Sequence, residues 1–312
     1  MKQNNAKKVI VILGPTASGK TKLGVDLANK FHGEIISADS RQVFRGMDIG
    51  TGKDLQEYGQ TPYHLIDVVD PNTEFDLMKY KQLANEAIED ICARKKIPLV
   101  VGGTGFYIQS LAEDTELSSV KPNKEFREEM EKLSVEELFE KLTNLKLEFA
   151  EKLNNSERNN KRRLIRYVEI AKENAVDLLV EEKTVIKKTS NVEYLIMGIT
   201  WPRAVIQERI YKRLLVRLEK EGMIDEVKKL HDEENVSWKR LESFGLEYKY
   251  IAKYLKEELT YDEMVERLNI AIRQFAKKQM SWFRRWEKQG MKIYWINKEN
   301  EAENLVKEFL NI

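Results

Sequence analysis

The chain has 312 residues, room for about two domains at ~150 residues each. Its 53 Lys+Arg nearly cancel 52 Asp+Glu, and 34% of residues are charged against ~25% in average globular chains. With 5 Trp, 12 Tyr and 11 Phe it has ample core material, which excludes disorder, and its single Cys92 excludes a disulfide framework or a Cys-rich zinc site.

The first strand expected is Val9–Leu13, an apolar run too short for a signal-peptide core or a membrane span. No membrane association and a cytoplasmic location are therefore expected. The strand runs into Gly14, Pro15, Thr16, Ala17, Ser18, Gly19, Lys20 and Thr21, and then into a helical pattern, Lys20–Phe31, with Leu23, Leu27 and Phe31 on one face. This is G-x-x-x-x-G-K-[ST] in the strand–loop–helix setting it requires. Gly14 and Gly19 are expected to supply the backbone angles that turn N–H groups inward. The positive end of the helix dipole faces the same anion, the Lys20 ammonium bridges phosphate oxygens, and the Thr21 hydroxyl can hold Mg²⁺. The loop predicts a bound di- or triphosphate.

The second strand, Glu34–Ala38, ends in Asp39-Ser40-Arg41-Gln42. Ligands of parallel α/β sheets sit beyond the carboxyl ends of the strands, so Asp39 is expected to face the same crevice as Lys20. It could hold Mg²⁺ through water, take a proton from an attacking nucleophile, or simply cap the next turn. A third strand is expected at His64–Val69, then a helix at Phe75–Ala93, then a fourth strand at Pro98–Val101. The fourth is followed by Gly102-Gly-Thr-Gly-Phe-Tyr107, without the acid that usually holds the metal of a nucleoside triphosphatase. This points to a loop that grips a pyrophosphate for another purpose. Thr104 on the same edge could orient the nucleophile.

From Leu117 to Val192 the rhythm changes to short charged helices without glycine, such as Val135–Leu142 and Arg162–Glu173, the first with a Ser134/Glu137 capping box. The strand pattern returns at Tyr194–Thr200, with a weaker strand at Lys292–Ile296. The fold expected is α/β: a phosphate-loop parallel sheet flanked by helices, formed by residues 1–116 and 193–312, with an all-helical insertion at 117–192. After Arg203 the chain reads as mostly helical, with a long pattern over Tyr261–Trp286. Trp282 and Trp286, at i, i+4, suit core packing better than base stacking. Cys92 reads as a buried small residue on its helix.

Near-zero net charge hides segregation. Arg158 to Arg166 contains five cations and no acid, and Arg267 to Lys292 contains eight cations and one acid. Solvated helix faces would explain this, and so would a polyanionic partner whose counterions are released on binding.

Four stretches occur in a telling order: Gly14–Thr21, Asp39-Ser-Arg-Gln-Val-Phe-Arg-Gly-Met-Asp-Ile-Gly-Thr51, Gly102–Tyr107, and Arg273-Gln-Phe-Ala-Lys-Lys-Gln-Met-Ser-Trp-Phe-Arg284. Together they resemble the bacterial tRNA dimethylallyltransferases, also called tRNA isopentenyltransferases, over nearly the whole chain. The resemblance implies transfer of the dimethylallyl group of dimethylallyl diphosphate to N6 of adenosine at tRNA position 37, with release of diphosphate and with Mg²⁺ as cofactor. It also implies that Asp39 is the general base, that Thr104 contacts the target nucleotide, and that Arg213 clamps the diphosphate alongside Gly14–Thr21. Arg209 and Arg217 are nearby alternatives to Arg213. By the same resemblance Asp39, Ser40, Arg41, Gln42 and Thr104 lie at the target base. Arg127, Arg162, Arg163 and Arg166 of the insertion, with Lys277, Lys278 and Arg284, contact the tRNA anticodon stem-loop. A flipped target base and a monomeric enzyme are expected.

The chain departs from the pattern at Phe244-Gly245-Leu246-Glu247, where the family usually has Gly-Tyr followed by a polar residue, and at Phe44, where Tyr is common. The competing readings are an adenylate isopentenyltransferase, a small-molecule kinase and a non-catalytic nucleic-acid-binding module. The insertion and its cations argue against a mononucleotide acceptor.

Overall fold

The computed structural model describes residues 6–113, 120–173, 191–297 and 299–312. The chain forms two compact units, Met1–Ala112 with Ser190–Ile312, and Glu113–Thr189. The expected boundary at 116/117 lies outside the described residues.

The larger unit is built on six strands: β1 (Lys7–Leu13), β2 (Gly33–Ala38), β3 (Tyr63–His64), β4 (Ile97–Gly102), β5 (Val192–Ile199) and β6 (Tyr294–Ile296). They form one sheet in the order β3-β2-β4-β1-β5-β6, and every pairing is parallel. The alternation of β1 explains why both faces are covered. Ile10 and Ile12 meet Leu23 and Leu27 of α1 (Lys20–Lys30) on one face. Val9, Val11 and Leu13 meet Tyr80 and Ile88 of α2 (Leu77–Ala93) on the other. All five residues of β1 from Val9 to Leu13 are essentially inaccessible, as expected for a central parallel strand. A short helix, α3 (Gly105–Ala112), leaves β4.

The expected strand at His64–Val69 is corrected. Only Tyr63 and His64 pair with β2, because Leu65 and Asp67 take left-handed φ values of 63° and 56° that end the ladder. Asp67 is turned to pair with Lys53, a fully buried ammonium that also bonds Asp48 at 2.6 Å and the Phe44 carbonyl at 2.7 Å. Val69 keeps one isolated bridge, to Phe44. Cys92 is half-buried rather than buried.

In the smaller unit, described over 120–173, lie α4 (Lys124–Met130), α5 (Val135–Leu145), α6 (Leu147–Lys152), α7 (Asn155–Arg158) and α8 (Lys161–Glu173). The Ser134/Glu137 capping box is present, and Leu138, Leu142, Leu164 and Ile165 form a separate core. Residues 174–190, part of the expected insertion, lie outside the described residues. Glu169 is buried in this unit and accepts from Arg127 at 2.6 Å, Arg166 at 2.7 Å and the Asn123 amide at 2.7 Å.

The larger unit continues with α9 (Arg203–Glu219), α10 (Met223–Asp232), α11 (Trp238–Ser243), α12 (Leu246–Leu255), the 28-residue α13 (Tyr261–Lys288) and α14 (Glu299–Leu310). Helices α9–α13 enclose their own core around Met47, Leu214 and Tyr248. Trp286 is fully buried against the sheet, as its spacing suggests, whereas Trp282 donates its indole N–H to Gln109. Among the described residues no helix is long and apolar enough to cross a membrane.

Burial alone would raise the Glu169 pKa, but the hydrogen bonds from Arg127, the Asn123 amide and Arg166 outweigh it and lower it. A lowered folded-state pKa stabilises the fold above the unfolded carboxylate range and loses that contribution as pH falls through the folded value. Glu169→Ala is expected to destabilise the smaller unit by about 1–3 kcal/mol at neutral pH. The deficit against the parent protein shrinks on acidification, which thermal unfolding across that range measures.

Candidate active site

The carboxyl ends of β1, β2 and β4 open on one pocket of about 310 Å³, lined by residues of the larger unit alone. Its floor is the turn from β1 into α1. Gly19 has φ of +88°, which glycine adopts freely, and Ala17 has φ of +62°. The expected role of Gly14 is corrected: its φ is not positive. A Cβ there would come within 2.7 Å of Ser18 Oγ and 3.3 Å of the Ile199 carbonyl, so packing rather than a left-handed turn excludes a side chain. The amino end of α1 has no side-chain cap, and Ser18 Oγ is buried with no partner among the described residues. An uncapped helix start presents backbone donors to an anion.

Cations converge on this floor. Lys20 and Arg213 line the pocket, and Arg213 donates to the Thr16 hydroxyl. Desolvation lowers Lys20 to about 8 despite the attraction of Asp39. Desolvation, then repulsion by Arg217, lowers Arg213 to about 10. Arg209, Arg213 and Arg217 all line the pocket from α9, and Arg217 is held by both Asp54 oxygens at 2.9 Å. Arg209 lies 4.3 Å from the ring of Trp201, whose indole donates to the Ser18 carbonyl at 3.0 Å.

Opposite the cations stand the residues after β2 and β4. Asp39 lines the pocket and accepts from the Arg41 amide at 3.0 Å. The Thr104 hydroxyl accepts from the Ser40 amide at 3.1 Å, and both residues lie outside the pocket lining. The strand ends approach so closely that a Cβ on Gly102 would sit 2.2 Å from the Ala38 carbonyl oxygen. The Gln42 side chain accepts from Ser37 and donates to the Gly52 carbonyl, so its amide also ties the 48–52 loop to β2. Arg41 pairs with Glu247 at 2.7 Å.

The remaining sequence candidates divide by place. Thr16 to Thr21 line the pocket, whereas Gly14 backs it and Pro15 borders a separate apolar groove with Ile206 and Ile210. Lys277, Lys278 and Arg284 are exposed on α13, Arg284 pairing with Glu287 and lying 3.9 Å from the Trp295 ring. Arg127, Arg162, Arg163 and Arg166 belong to the smaller unit, where Arg127 and Arg166 hold Glu169, Arg163 meets Glu157 at 3.4 Å and Arg162 is exposed.

Arg209, Arg213 and Arg217, named together from the sequence, all reach the pocket, because their four-residue spacing puts them on one helix face. Gln279 escaped sequence reasoning and carried no signal of its own. It accepts from the Thr16 amide at 2.8 Å and donates to the Gly103 carbonyl at 2.9 Å, stapling the phosphate loop to the end of β4.

Fold and pocket define a parallel α/β protein with a cation-lined cleft at the carboxyl ends of its strands. Comparison with known proteins narrows this class. Residues 42–286 match the family model described as IPP transferase, and residues 7–62 match that of isopentenyl transferase. The chain is 45% identical over 289 residues, 93% of its length and 90% of the relative's, to tRNA dimethylallyltransferase 1 of Geotalea daltonii. It is 46% identical over 292 residues to tRNA dimethylallyltransferase 2 of Citrifermentans bemidjiense, covering 92% and 90%. The crystal structure of the full-length tRNA isopentenylpyrophosphate transferase of Bacillus halodurans aligns with a TM-score of 0.70 at 33% identity, covering 98% of this chain and 97% of that one. The chain belongs to the IPP transferase family.

Lys20 must be charged to hold an anion, so above its ligand-free value binding requires proton uptake. The affinity for inorganic diphosphate is expected to fall as pH rises past about 8, by up to about tenfold per pH unit. Lys20→Arg should flatten that decline, because a guanidinium keeps its charge. Calorimetric titration across this range measures both slopes.

Proposed function

We propose that this enzyme transfers the dimethylallyl group of dimethylallyl diphosphate to N6 of adenosine 37 in the tRNA anticodon stem-loop. The observation that carries the reading is the convergence of Lys20, Arg213 and Asp39 on one pocket. The carbon–oxygen bond to the diphosphate breaks, the N6–carbon bond forms, and the N6 proton passes to Asp39. The uncapped start of α1 with Lys20 and Arg213 stabilises the departing anion, whose charge grows as that bond breaks. Asp39 makes the amine a better nucleophile by accepting its proton.

A divalent metal fits a limited part of this site. The Thr21 hydroxyl and the Asp39 carboxylate line the pocket, while among the described residues no group of three or more His, Cys, Asp or Glu could hold an ion. Such a donor set suits Mg²⁺, which takes most of its ligands from substrate phosphates and water. When bound, it would neutralise charge on the diphosphate.

The target base must leave its stack to reach a pocket this deep among the strand ends. Arg41 and Gln42 line the pocket after Asp39, with Ser40 just outside its lining, and this supports contact of the three with that base. On the larger unit the exposed cations Lys277, Lys278 and Arg284, and on the smaller unit the exposed Arg162 with Arg163, each supply cations for tRNA phosphates, and Arg127 and Arg166 also belong to this reading although Glu169 pairs with both. Action as a monomer in the cytoplasm belongs to the same reading; among the described residues no helix is long and apolar enough to cross a membrane.

Incubation with dimethylallyl diphosphate, Mg²⁺ and tRNA should yield the N6-prenylated nucleoside by mass analysis, while AMP offered in the same assay stays unmodified. Prenylated AMP with unmodified tRNA would instead favour the adenylate enzyme. Asp39→Asn is expected to lower kcat by about 10²–10⁴-fold, with little change in the KM for dimethylallyl diphosphate. Arg213→Ala should cost about 10²-fold in kcat/KM. Replacing Arg162 and Arg163 should weaken tRNA binding and flatten its salt dependence.

A further inference from the structure

Helix α13 packs through a stripe that includes Leu268, Ile272, Ala276, Phe283 and Trp286, and Gln279 stands on that stripe as a polar residue only 6% exposed. Its amide reaches the pocket and meets two backbone groups there. Oε1 accepts from the Thr16 N–H at 2.8 Å, and Nε2 donates to the Gly103 carbonyl at 2.9 Å. These partners fix which end of the amide is which, since a reversed side chain would set N–H against N–H and oxygen against oxygen. Gly103 leaves the room for it: a Cβ at that position would collide with Nε2.

Thr16 differs from the residues that follow it in the phosphate loop. Its hydroxyl accepts from Arg213 and its amide donates to Gln279, so both polar groups are committed to the protein. The amides of Ala17, Ser18 and Gly19 donate to no protein acceptor among the described residues. A nest of backbone amides holds an anion by aiming successive N–H groups at its oxygens. At Thr16 that place is taken. The Gln279 oxygen sits one hydrogen-bond length from the amide, where a phosphate oxygen would otherwise sit, and its partial negative charge repels an anion pushed toward it. The donors from Ala17 to the start of α1, with Lys20, remain for two phosphoryl groups. A third, extended along the loop toward Gly14, meets an acceptor in place of a donor.

We propose that Gln279 sets the length of polyphosphate this pocket accepts: by taking the Thr16 N–H, its amide oxygen disfavours a triphosphate relative to a diphosphate. Such a preference is a difference between two affinities, and an acceptor placed against the unwanted ligand is one way to create it. The proposal rests on the reading of this loop as the diphosphate site. It gives a physical reason for a loop of the nucleoside-triphosphatase type to serve a diphosphate.

The test uses the full chain in metal-free buffer. Inorganic diphosphate and inorganic triphosphate are the probes in calorimetric titrations, with the melting temperature of each variant measured alongside. Gln279→Met keeps the length and the packing, removes the acceptor and frees the Thr16 amide. The ratio of triphosphate to diphosphate affinity is expected to rise by about 10- to 100-fold over the parent, the strength of one hydrogen bond to a charged acceptor. Gln279→Glu keeps an oxygen beside the Thr16 amide and should leave that ratio unchanged or lower. A side chain that only fastened the loop would weaken both anions together in both variants. An unchanged ratio in Gln279→Met, or an equal rise in the two variants, overturns the proposal. A measurement on the parent protein needs no variant. In amide nuclear magnetic resonance spectra, saturation with diphosphate should shift the Gly19 and Lys20 signals and leave Thr16 in place. A Thr16 signal that moves as far as theirs overturns the proposal while the loop remains the diphosphate site. If none of the three moves, the reading of the loop itself fails, and the proposal with it.

Discussion

The backbone N–H groups at the start of α1 have no side-chain cap, and the Gly19 turn leads into them. Everything else in the pocket is arranged around that concentration of positive potential. Arg209, Arg213 and Arg217 come in from α9, and Lys20 from α1 itself. Burying a cation in this floor has a cost visible in Lys20, which desolvation, with a smaller push from Arg213, lowers to about 8. An anion relieves the cost, so the floor of the site is poised for a multiply charged ligand.

The acidic side of the pocket balances that charge selectively. Asp54 is committed to Arg217 and Glu247 to Arg41, while among the described residues the Asp39 carboxylate bonds the Arg41 amide alone. The parallel sheet makes the arrangement possible. Because β2 and β4 approach within the space of a glycine at Gly102, Asp39 and the phosphate loop open onto the same crevice. Gln279 then ties the loop to the end of β4 from the far side, through α13.

Much of this was legible in the sequence where the information is local. The turn after β1 is written in eight consecutive residues, and the Ser134/Glu137 box in four. The misread elements were those in which a distant side chain overrides a local pattern. His64–Val69 has the composition of a strand, but the buried Lys53 recruits Asp67 and the ladder ends after two residues. Packing also decided something the sequence left open: of the cations read in the smaller unit, Arg127 and Arg166 are drawn in from two helices by the buried Glu169.

The sequence by itself determined the phosphate-binding turn, the position of Asp39 at a strand end and the alternation of β1 that covers both sheet faces. Each depends on backbone geometry or periodicity encoded within a few neighbouring residues. Only the tertiary structure decided which arginine faces which acid, why Gly14 cannot carry a side chain, and that Gln279 and Glu247 belong to the site. Those choices depend on which helices cross the edge of the sheet, and at what distance. Pairings such as Arg41 with Glu247, 206 residues apart along the chain, exist only once that packing is complete.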